Sequence, residues 1–394
     1  MTSLKGKKIL IGVSGGIAIY KTLSLLSLLS KAGADCRVIM TQGAQEFVRP
    51  LSFQTLSSHR VYTDLFSQEE GFIPHIDLTR GADVFLIAPA TANVIAKFAH
   101  GLADDLLSST FLASVCPIIL SPAMNVHMFE NSSTQANLDL LKRRGIKVIE
   151  PKEGLLACRE KGMGRMPEPE ELFDEIDTFF TKKDLAGKKI IVTGGPTKER
   201  FDPVRYITND SSGKQGVAIA QRAVKRGAEV IFIHGDLKVQ KPRGAACQHV
   251  EKTQEMLEAV DAHFDACDAL IMAAAPCDMT PSHFSDNKMK KVGRTDEFTF
   301  AFRETVDVLK TMGKKKTHQV LIGFAAETRN VEDYAKTKLS AKNADYIVAN
   351  NVALQGAGFD GDTNVVTIYS RTDKKAYPML SKMEVADRIL DLLV

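Results

Sequence analysis

With 394 residues, the chain is long enough for two or three domains with ample core. Its 44% apolar and 25% charged residues are those of an ordinary soluble globular protein, and its net charge is only +3. Lysines are spread along the whole chain, which argues against the clustered basic footprint of a nucleic-acid binder. No apolar run reaches membrane length; residues 84–99 come nearest and are broken by Pro89, Asn93 and Lys97. Cys36, Cys116, Cys158, Cys247, Cys267 and Cys277 form no CxxC, and their spacing suggests neither a disulfide framework nor a zinc site. A reduced, cytoplasmic protein is expected. The apolar start at 9–20 is interrupted by Gly12, Gly15 and Gly16 and lacks a small-residue cleavage site, so it is not read as a signal peptide.

The chain opens with Gly6-Lys7-Lys8, an apolar run at 9–13, then Ser14-Gly15-Gly16. The same pattern returns as Gly187-Lys188-Lys189, an apolar run at 190–192, then Thr193-Gly194-Gly195. A buried parallel strand entering a glycine turn and a helix is the first unit of a doubly wound sheet. Two such starts predict two doubly wound α/β domains, 1–180 and 188–394, joined by a polar linker at 181–187. Further strands fit 36–41, 84–88, 117–121 and 148–149 in the first half. In the second half they fit 190–193, 229–234, 269–273, 320–324 and 346–349, with a late strand or hairpin arm at 365–369. Helical patterns fit 18–31, ending at Gly33, and 92–100, ending at Gly101. Others fit 217–225 and, at the end of the chain, 382–393.

Ser14-Gly15-Gly16 lies where backbone N–H groups at a helix start can hold a phosphate, although glycines in a first βα turn also serve packing. There is no GxGxxG, and the next strand ends in Met40-Thr41, where a dinucleotide site would place an acid for the ribose. Thr41 offers a hydroxyl instead, which suits a mononucleotide phosphate. The third strand runs into Ala88-Pro89-Ala90-Thr91-Ala92-Asn93 at the ligand-facing edge of the sheet. A capped helix start at Thr91 or Asn93 accounts for the same residues.

Three segments are more specific. They are Ile73-Pro74-His75-Ile76-Asp77-Leu78, then Ser121-Pro122-Ala123-Met124-Asn125-Val126-His127-Met128-Phe129, then Gly154-Leu155-Leu156-Ala157-Cys158 with Gly162-Met163-Gly164-Arg165-Met166-Pro167. Together they resemble the flavin-dependent cysteine decarboxylases, specifically phosphopantothenoylcysteine decarboxylase. That family's marks are a catalytic His, a PxMNxxMW segment and a glycine-bounded flap with a reactive Cys. Phe129 stands where Trp is usual, and Arg159 where a flap glycine is common. The resemblance implies a flavodoxin-like domain with noncovalent FMN held by Ser14, Gly15, Gly16, Thr41, Thr91, Ala92, Asn93 and Met124. It implies oxidation of the cysteinyl thiol to a thioaldehyde, loss of CO2 to give an enethiol, and reduction back, so that the reaction is redox-neutral. His75 then serves as base, Asn125 holds the substrate carboxylate, and Cys158 protonates the intermediate as it is reduced.

In the second half, Thr208-Asn209-Asp210-Ser211-Ser212-Gly213-Lys214-Gln215-Gly216 opens a helix. A P-loop needs Gly where Thr208 stands and Ser or Thr where Gln215 stands, so that reading fails. Further on come Ala273-Ala274-Ala275 with Asp278, then Lys288-Met289-Lys290-Lys291, then Gly323-Phe324-Ala325-Ala326-Glu327-Thr328, then Lys338 and Lys342 one helical turn apart. A solvated lysine face explains the last pair equally well, unless an anion sits between them. As a set, these segments and DPVRYITNDSSGK resemble phosphopantothenate–cysteine ligase, with Pro276-Cys277 where the family usually reads Val-Ala. The resemblance implies a Rossmann-like ligase domain that uses CTP and Mg2+ to form an acyl-cytidylate, which the cysteine amine attacks. Lys288 then serves activation; Arg205, Asn209 and Ala275 serve the attack by cysteine. Met272, Ala273, Ala274, Asp278, Phe324, Lys338 and Lys342 line the CTP pocket, Lys288 also contacts CTP, and no metal ligands are assigned.

In bacteria the two enzymes occur fused in this order, and the resemblance covers nearly the whole chain. The substrates implied are 4'-phosphopantothenate, cysteine and CTP, with no nucleic-acid or membrane partner. The family forms flavin-domain trimers, with the active site between subunits, and ligase-domain dimers, so a homo-oligomer is expected. A nicotinamide-dependent oxidoreductase lacks its fingerprint here. A non-enzymatic flavoprotein regulatory subunit would have no use for His75, Asn125 and Cys158 together.

Overall fold

Ile9, Ile11 and Val13 pack against one helical layer while Leu10 packs against the other, so the first strand is buried on both faces. Only a parallel sheet covered on both sides satisfies such a run. The computed structural model describes residues 3–66, 71–155, 159–289, 299–327, 331–351 and 361–394. It divides into two compact units, Met1–Thr181 and Lys182–Val394.

In the first unit, β1 (Lys8–Val13), β2 (Asp35–Met40), β3 (Val61–Tyr62), β4 (Val84–Ala90), β5 (Ile118–Pro122) and β6 (Lys147–Val148) form a sheet in the order β3-β2-β1-β4-β5-β6. Every pairing in it is parallel. Leu25, Leu26 and Leu29 of the helix Ile19–Lys31, with Leu172 and Ile176 of the helix Pro169–Phe180, cover one face. Val94, Ile95 and Phe98 of the helix Ala92–His100, with Leu138 and Leu141 of the helix Ser132–Arg143, cover the other. The chain reverses its direction of winding between β1 and β4, which opens a crevice at their carboxyl ends. A separate antiparallel hairpin, β7 (Lys152–Leu155) and β8 (Lys161–Arg165), follows the sheet.

The second unit repeats the plan on a larger scale. It begins with β9 (Lys189–Gly194), the short pair β10 (Lys198–Arg200) and β11 (Tyr206–Thr208), β12 (Glu229–His234) and β13 (Ala246–His249). It continues with β14 (Ala269–Met272), the pair β15 (Met279–Pro281) and β16 (Phe302–Glu304), β17 (Val320–Glu327) and β18 (Tyr346–Asn351). Last come β19 (Thr363–Asn364), β20 (Val366–Tyr369), β21 (Lys374–Ala376) and β22 (Leu380–Ser381), with β19 pairing β22. The large sheet runs β13-β12-β9-β14-β17-β18-β20-β21, and β20 and β21 join it antiparallel. Its switch point lies between β9 and β14.

Several elements differ from the sequence expectation. Part of the stretch read as a linker is built into the second unit: Leu185 is fully buried, and Asp184 pairs with the Arg226 guanidinium at 2.8 Å. The first helix of that unit starts at Lys214, three residues early, with Gly213 at its N-cap. The terminal helix ends at Leu390 and gives way to a 3-10 turn at Asp391–Leu393.

Gly235, just past β12, donates its N–H to Gly194 O (3.0 Å), and a Cβ there would lie 1.7 Å from Pro196 O. Gly235→Ala is therefore expected to cost roughly 1–3 kcal/mol of overpacking, read as a lower urea midpoint of the second unit; an unchanged midpoint would refute so close an approach. Burial pushes the Cys36 and Cys267 thiols up to about 12, so neither offers a thiolate near neutral pH. Iodoacetamide at neutral pH should spare both in the native protein and modify both in urea. Native labelling at the rate of a free thiol would contradict the packing.

Candidate active sites

At the switch point of the first sheet a cavity of about 650 Å³ is lined by Gly15, Gly16, Lys21, Thr91, Met124, Asn125, Leu155 and Met166 among others. Five of the residues assigned to the flavin site or its chemistry thus share one wall system: Gly15, Gly16, Thr91, Met124 and Asn125. Ser14, Thr41, Ala92 and Asn93 do not line it. Their neighbourhood gives the reason for two of them. The Ser14 hydroxyl donates to Pro89 O (2.7 Å) and accepts from Thr91 N (3.1 Å), so it joins the ends of β1 and β4. Thr41 Oγ1 accepts from Ala44 N (3.2 Å) and caps the short helix Gln42–Gln45. Thr91 caps the helix Ala92–His100 through Val94 N (3.4 Å). Gly15 is fixed by packing, since a Cβ would lie 2.6 Å from the Gly43 carbonyl. Gly16 is open, its nearest neighbour being Thr91 Cγ2 at 3.7 Å.

The hairpin β7–β8 lies on the segment that follows β5. Met124 N donates to Gly164 O (3.0 Å), and Gly164 holds φ 129 where a Cβ would meet Met124 O at 2.4 Å. Only glycine suits that position. Asn125 caps the helix Val126–Glu130 by accepting from His127 N (2.8 Å), and its amide donates to Glu160 Oε2 (2.6 Å) on the hairpin. Arg159, at the position of a common flap glycine, takes φ 67, a left-handed conformation that glycine adopts without strain. Cys158 lies outside the described residues.

Lys21 was not singled out in the sequence. It is 2% exposed, donates to Met166 O (2.6 Å) and stands 3.1 Å from Glu168 Oε1. Its only signal is position: a lysine four residues before Leu25, on the buried face of its helix. His75 sits half-buried in the four-residue helix Pro74–Asp77 and is not among the residues lining the cavity. Its Nδ1 is buried with no hydrogen-bond partner. Arg80 pairs with Asp77 at 3.4 Å.

In the second unit a cavity of about 340 Å³ opens past β14 and β17. Met272, Ala274, Asp278, Phe324 and Lys342 line it, together with Glu304, Thr305 and Asp307. Ala273 and Lys338 do not. Lys342 Nζ lies 3.1 Å from Asp307 Oδ2, so a carboxylate of the chain balances the end of the lysine pair. Asp307 is at the same time the N-cap of the helix Val308–Lys315.

Asn209 and Ala275 meet directly: Asn209 Nδ2 donates to Pro276 O (2.9 Å) and to Ala275 O (3.3 Å). Arg205 Nη1 lies 3.7 Å from Asp202 Oδ2, and Lys288 is exposed on the segment after β15. Burial works to raise the Asp202 carboxyl. The N–H groups of Met289, Val204 and Arg205, which all point at it, outweigh burial and hold it below the usual carboxylate range. Lys315, in a lysine run given no role, is paired with Asp261 (2.8 Å) and Asp265 (3.3 Å). Lys290, Lys291 and Thr328 lie outside the described residues. Among the described residues no group of three or more His, Cys, Asp and Glu side chains could hold a metal ion. No described helix is long and apolar enough to cross a membrane.

Residues 1–181 match the family described as Flavoprotein, and residues 185–394 match the DNA/pantothenate metabolism flavoprotein C-terminal domain. The chain is 47% identical over 393 residues to the coenzyme A biosynthesis bifunctional protein CoaBC of Bacillus subtilis (strain 168), covering 98% of this chain and 96% of that one. It is 40% identical over 396 residues to the protein of the same name from Escherichia coli (strain K12), covering 100% and 98%. Among solved structures, the C-terminal domain of a coenzyme A biosynthesis bifunctional protein CoaBC shares 43% identity over 53% of this chain and 95% of that one, with a TM-score of 0.46. A PPC decarboxylase mutant complexed with pantothenoylaminoethenethiol shares 31% identity over 45% and 99%, with a TM-score of 0.42. Matched in both halves and along its full length, the chain belongs to the family of bifunctional coenzyme A biosynthesis proteins, a flavoprotein domain followed by a pantothenate-metabolism domain.

Proposed function

We propose that this chain catalyses two consecutive steps of coenzyme A biosynthesis in the cytoplasm. Its second domain joins cysteine to 4'-phosphopantothenate with CTP, and its first decarboxylates the 4'-phosphopantothenoylcysteine formed. The observation that carries the reading is convergence: motif residues far apart in sequence line one cavity in each unit, at the switch point of the first sheet and past β14 and β17 of the second.

The first cavity suits FMN. Its volume falls in the range of cofactor sites, Gly16 leaves room beside the start of a helix, and Met124, Leu155 and Met166 supply apolar walls. Gly15, Gly16, Thr91 and Met124 would hold it. When bound, FMN supplies a two-electron acceptor that becomes the donor in the last step. Asn125 holds the substrate carboxylate, and its amide already donates to a carboxylate, that of Glu160. His75, whose Nδ1 is buried without a hydrogen-bond partner, serves as the base. His75 does not line the cavity of its own chain; the flavin-domain trimer implied by the family resemblance, with its active site between subunits, would bring it to the site of a neighbouring copy. Cys158 delivers a proton as the enethiol is reduced.

In the ligase, the phosphopantothenate carboxylate attacks the α-phosphorus of CTP and pyrophosphate leaves. The cysteine amine then displaces CMP from the acyl-cytidylate. Met272, Ala273, Ala274, Asp278, Phe324, Lys338 and Lys342 receive CTP, whose Mg2+ arrives with the triphosphate as part of the substrate. Lys288 neutralises the charge that develops on pyrophosphate. Arg205, Asn209 and Ala275 serve the second half-reaction, and ligase domains pair as dimers.

His75→Asn is expected to abolish CO2 release while the protein still releases FMN on denaturation and still ligates cysteine. Loss of both activities in folded protein would break the assignment of the two steps to separate units. Lys288→Gln is expected to slow pyrophosphate release from CTP, measured without cysteine, by about 100-fold, equivalent to about 3 kcal/mol. Lys315→Gln, whose ammonium is already paired on the surface, should leave that rate unchanged. Equal small effects would make Lys288 part of a solvated face.

A further inference from the structure

We propose that Asp202 is a positioning residue of the ligase, whose buried carboxylate holds the segment carrying Lys288 in register with the turn carrying Arg205. The proposal rests on the roles given above to those two residues.

The Asp202 side chain is fully buried. Its two oxygens do different work. Oδ1 accepts from Val204 N and Arg205 N, each at 2.8 Å. Bonds to residues two and three positions on are those of an Asx turn, which asparagine makes as readily as aspartate. If that were all, Asp202 would be a local turn residue. Oδ2 reaches instead across 87 residues of sequence to accept from Met289 N at 3.0 Å, and stands 3.7 Å from the Arg205 guanidinium. This second oxygen requires a carboxylate. An asparagine in the same rotamer would turn its NH2 toward the Met289 N–H, donor against donor.

Other ties join the segment on the far side to this turn. Ser285 N donates to Phe201 O (2.9 Å), and Phe201 packs on Phe300 with ring centroids 4.8 Å apart. Phe201 N in turn donates to Arg205 O (2.9 Å), closing the turn on itself. Lys288 lies between the two points of attachment at 285 and 289, and its own side chain is exposed. Its backbone is thus fixed where its ammonium is free to meet a ligand. Fixing the backbone is what a long, flexible lysine needs, because misplacing a charged group by about 1 Å can cost on the order of 100-fold in rate.

The test uses the full-length protein with Asp202→Asn, Lys288→Gln and the double variant. Pyrophosphate release from CTP and phosphopantothenate is measured without cysteine, and CO2 release serves as the check on the other unit. Asp202→Asn is expected to lower kcat for pyrophosphate release by about 10- to 100-fold with KM for CTP changed less than about two-fold, since the proposed CTP pocket is lined by other residues. In the Lys288→Gln background it should add no further loss, because Asp202 acts through Lys288. A wild-type rate for Asp202→Asn beside an impaired Lys288→Gln overturns the proposal, and so do losses that multiply in the double variant. If Lys288→Gln is itself unimpaired, the role given to Lys288 fails, and the proposal fails with it by a separate result. Should Asp202→Asn not fold, Met289→Pro removes the same bond from the donor side and carries the same expectations.

Discussion

Where β1 and β4 part at the switch point of the first sheet, the Ser14 hydroxyl accepts from Thr91 N (3.1 Å) and donates to Pro89 O (2.7 Å). Where β9 and β14 part in the second sheet, the Thr193 hydroxyl accepts from Ala274 N (3.1 Å). Two parallel strands that splay at their ends leave backbone groups without a ladder partner, and a buried group of that kind is costly. A buried hydroxyl on the first strand supplies what the neighbouring strand has lost. Both hydroxyls are almost completely buried, so neither is spent on solvent. The lining of the first cavity begins directly beyond this stitch, at Gly15, Gly16 and Thr91, and Ala274 at the second stitch is part of the lining of the other. The repeated sequence pattern, a strand ending in Ser-Gly-Gly or Thr-Gly-Gly, is therefore a repeated solution to one packing problem.

The sequence made legible what burial dictates. β1, β4, β9, β14 and β17 are runs of Ile, Leu, Val and Ala because both faces are covered, and such runs stand out. The elements it hid are those with no apolar face to reveal them. β7 reads Lys-Glu-Gly-Leu and β10 reads Lys-Glu-Arg, and each exists because it pairs with a partner strand. β3 is two residues long, too short to carry a period. Motif residues singled out in the sequence meet the cavities where the motif turns the chain toward them, as at Asn125 and Asp278. The site was not legible where a contact depends on the three-dimensional path: the Lys21 ammonium on Met166 O, Asp307 beside Lys342, and Met289 N on Asp202.

Charge is arranged to the same end. The lysine pair Lys338 and Lys342 invites an anion when read as a helix face, yet Asp307 already stands against Lys342. A triphosphate entering this cavity meets a paired lysine, not a bare one, and has to compete with a carboxylate held in place by its capping bond to Lys310 N (2.9 Å). The same logic governs the first cavity, where the Asn125 amide is engaged by Glu160. In both, a carboxylate of the chain meets the group proposed to receive an anionic ligand, so binding is an exchange of one negative group for another. Such an exchange makes affinity depend on how well the ligand fits, more than on charge alone.

The Pro276-Cys277 substitution tests how far a motif can change before its geometry does. A proline costs most where its missing N–H was bonded. Here the flanking donors are the ones in use: Ala275 N bonds Gly195 O (2.9 Å), and Cys277 N bonds Thr197 Oγ1 (2.8 Å). Pro276 falls between them and contributes its carbonyl, which accepts from Asn209 Nδ2 (2.9 Å). Cys277 turns its thiol inward, within 3.5 Å of Thr197 O, and burial, the largest influence on it, pushes that thiol up. It fills the role of a small apolar residue. The turn thus keeps its two outer N–H bonds and its carbonyl acceptor, and Asp278 remains on the wall of the cavity. What the motif conserves in this chain is a backbone path, and proline and cysteine satisfy it because the path asks for neither the N–H nor the side chain that they changed.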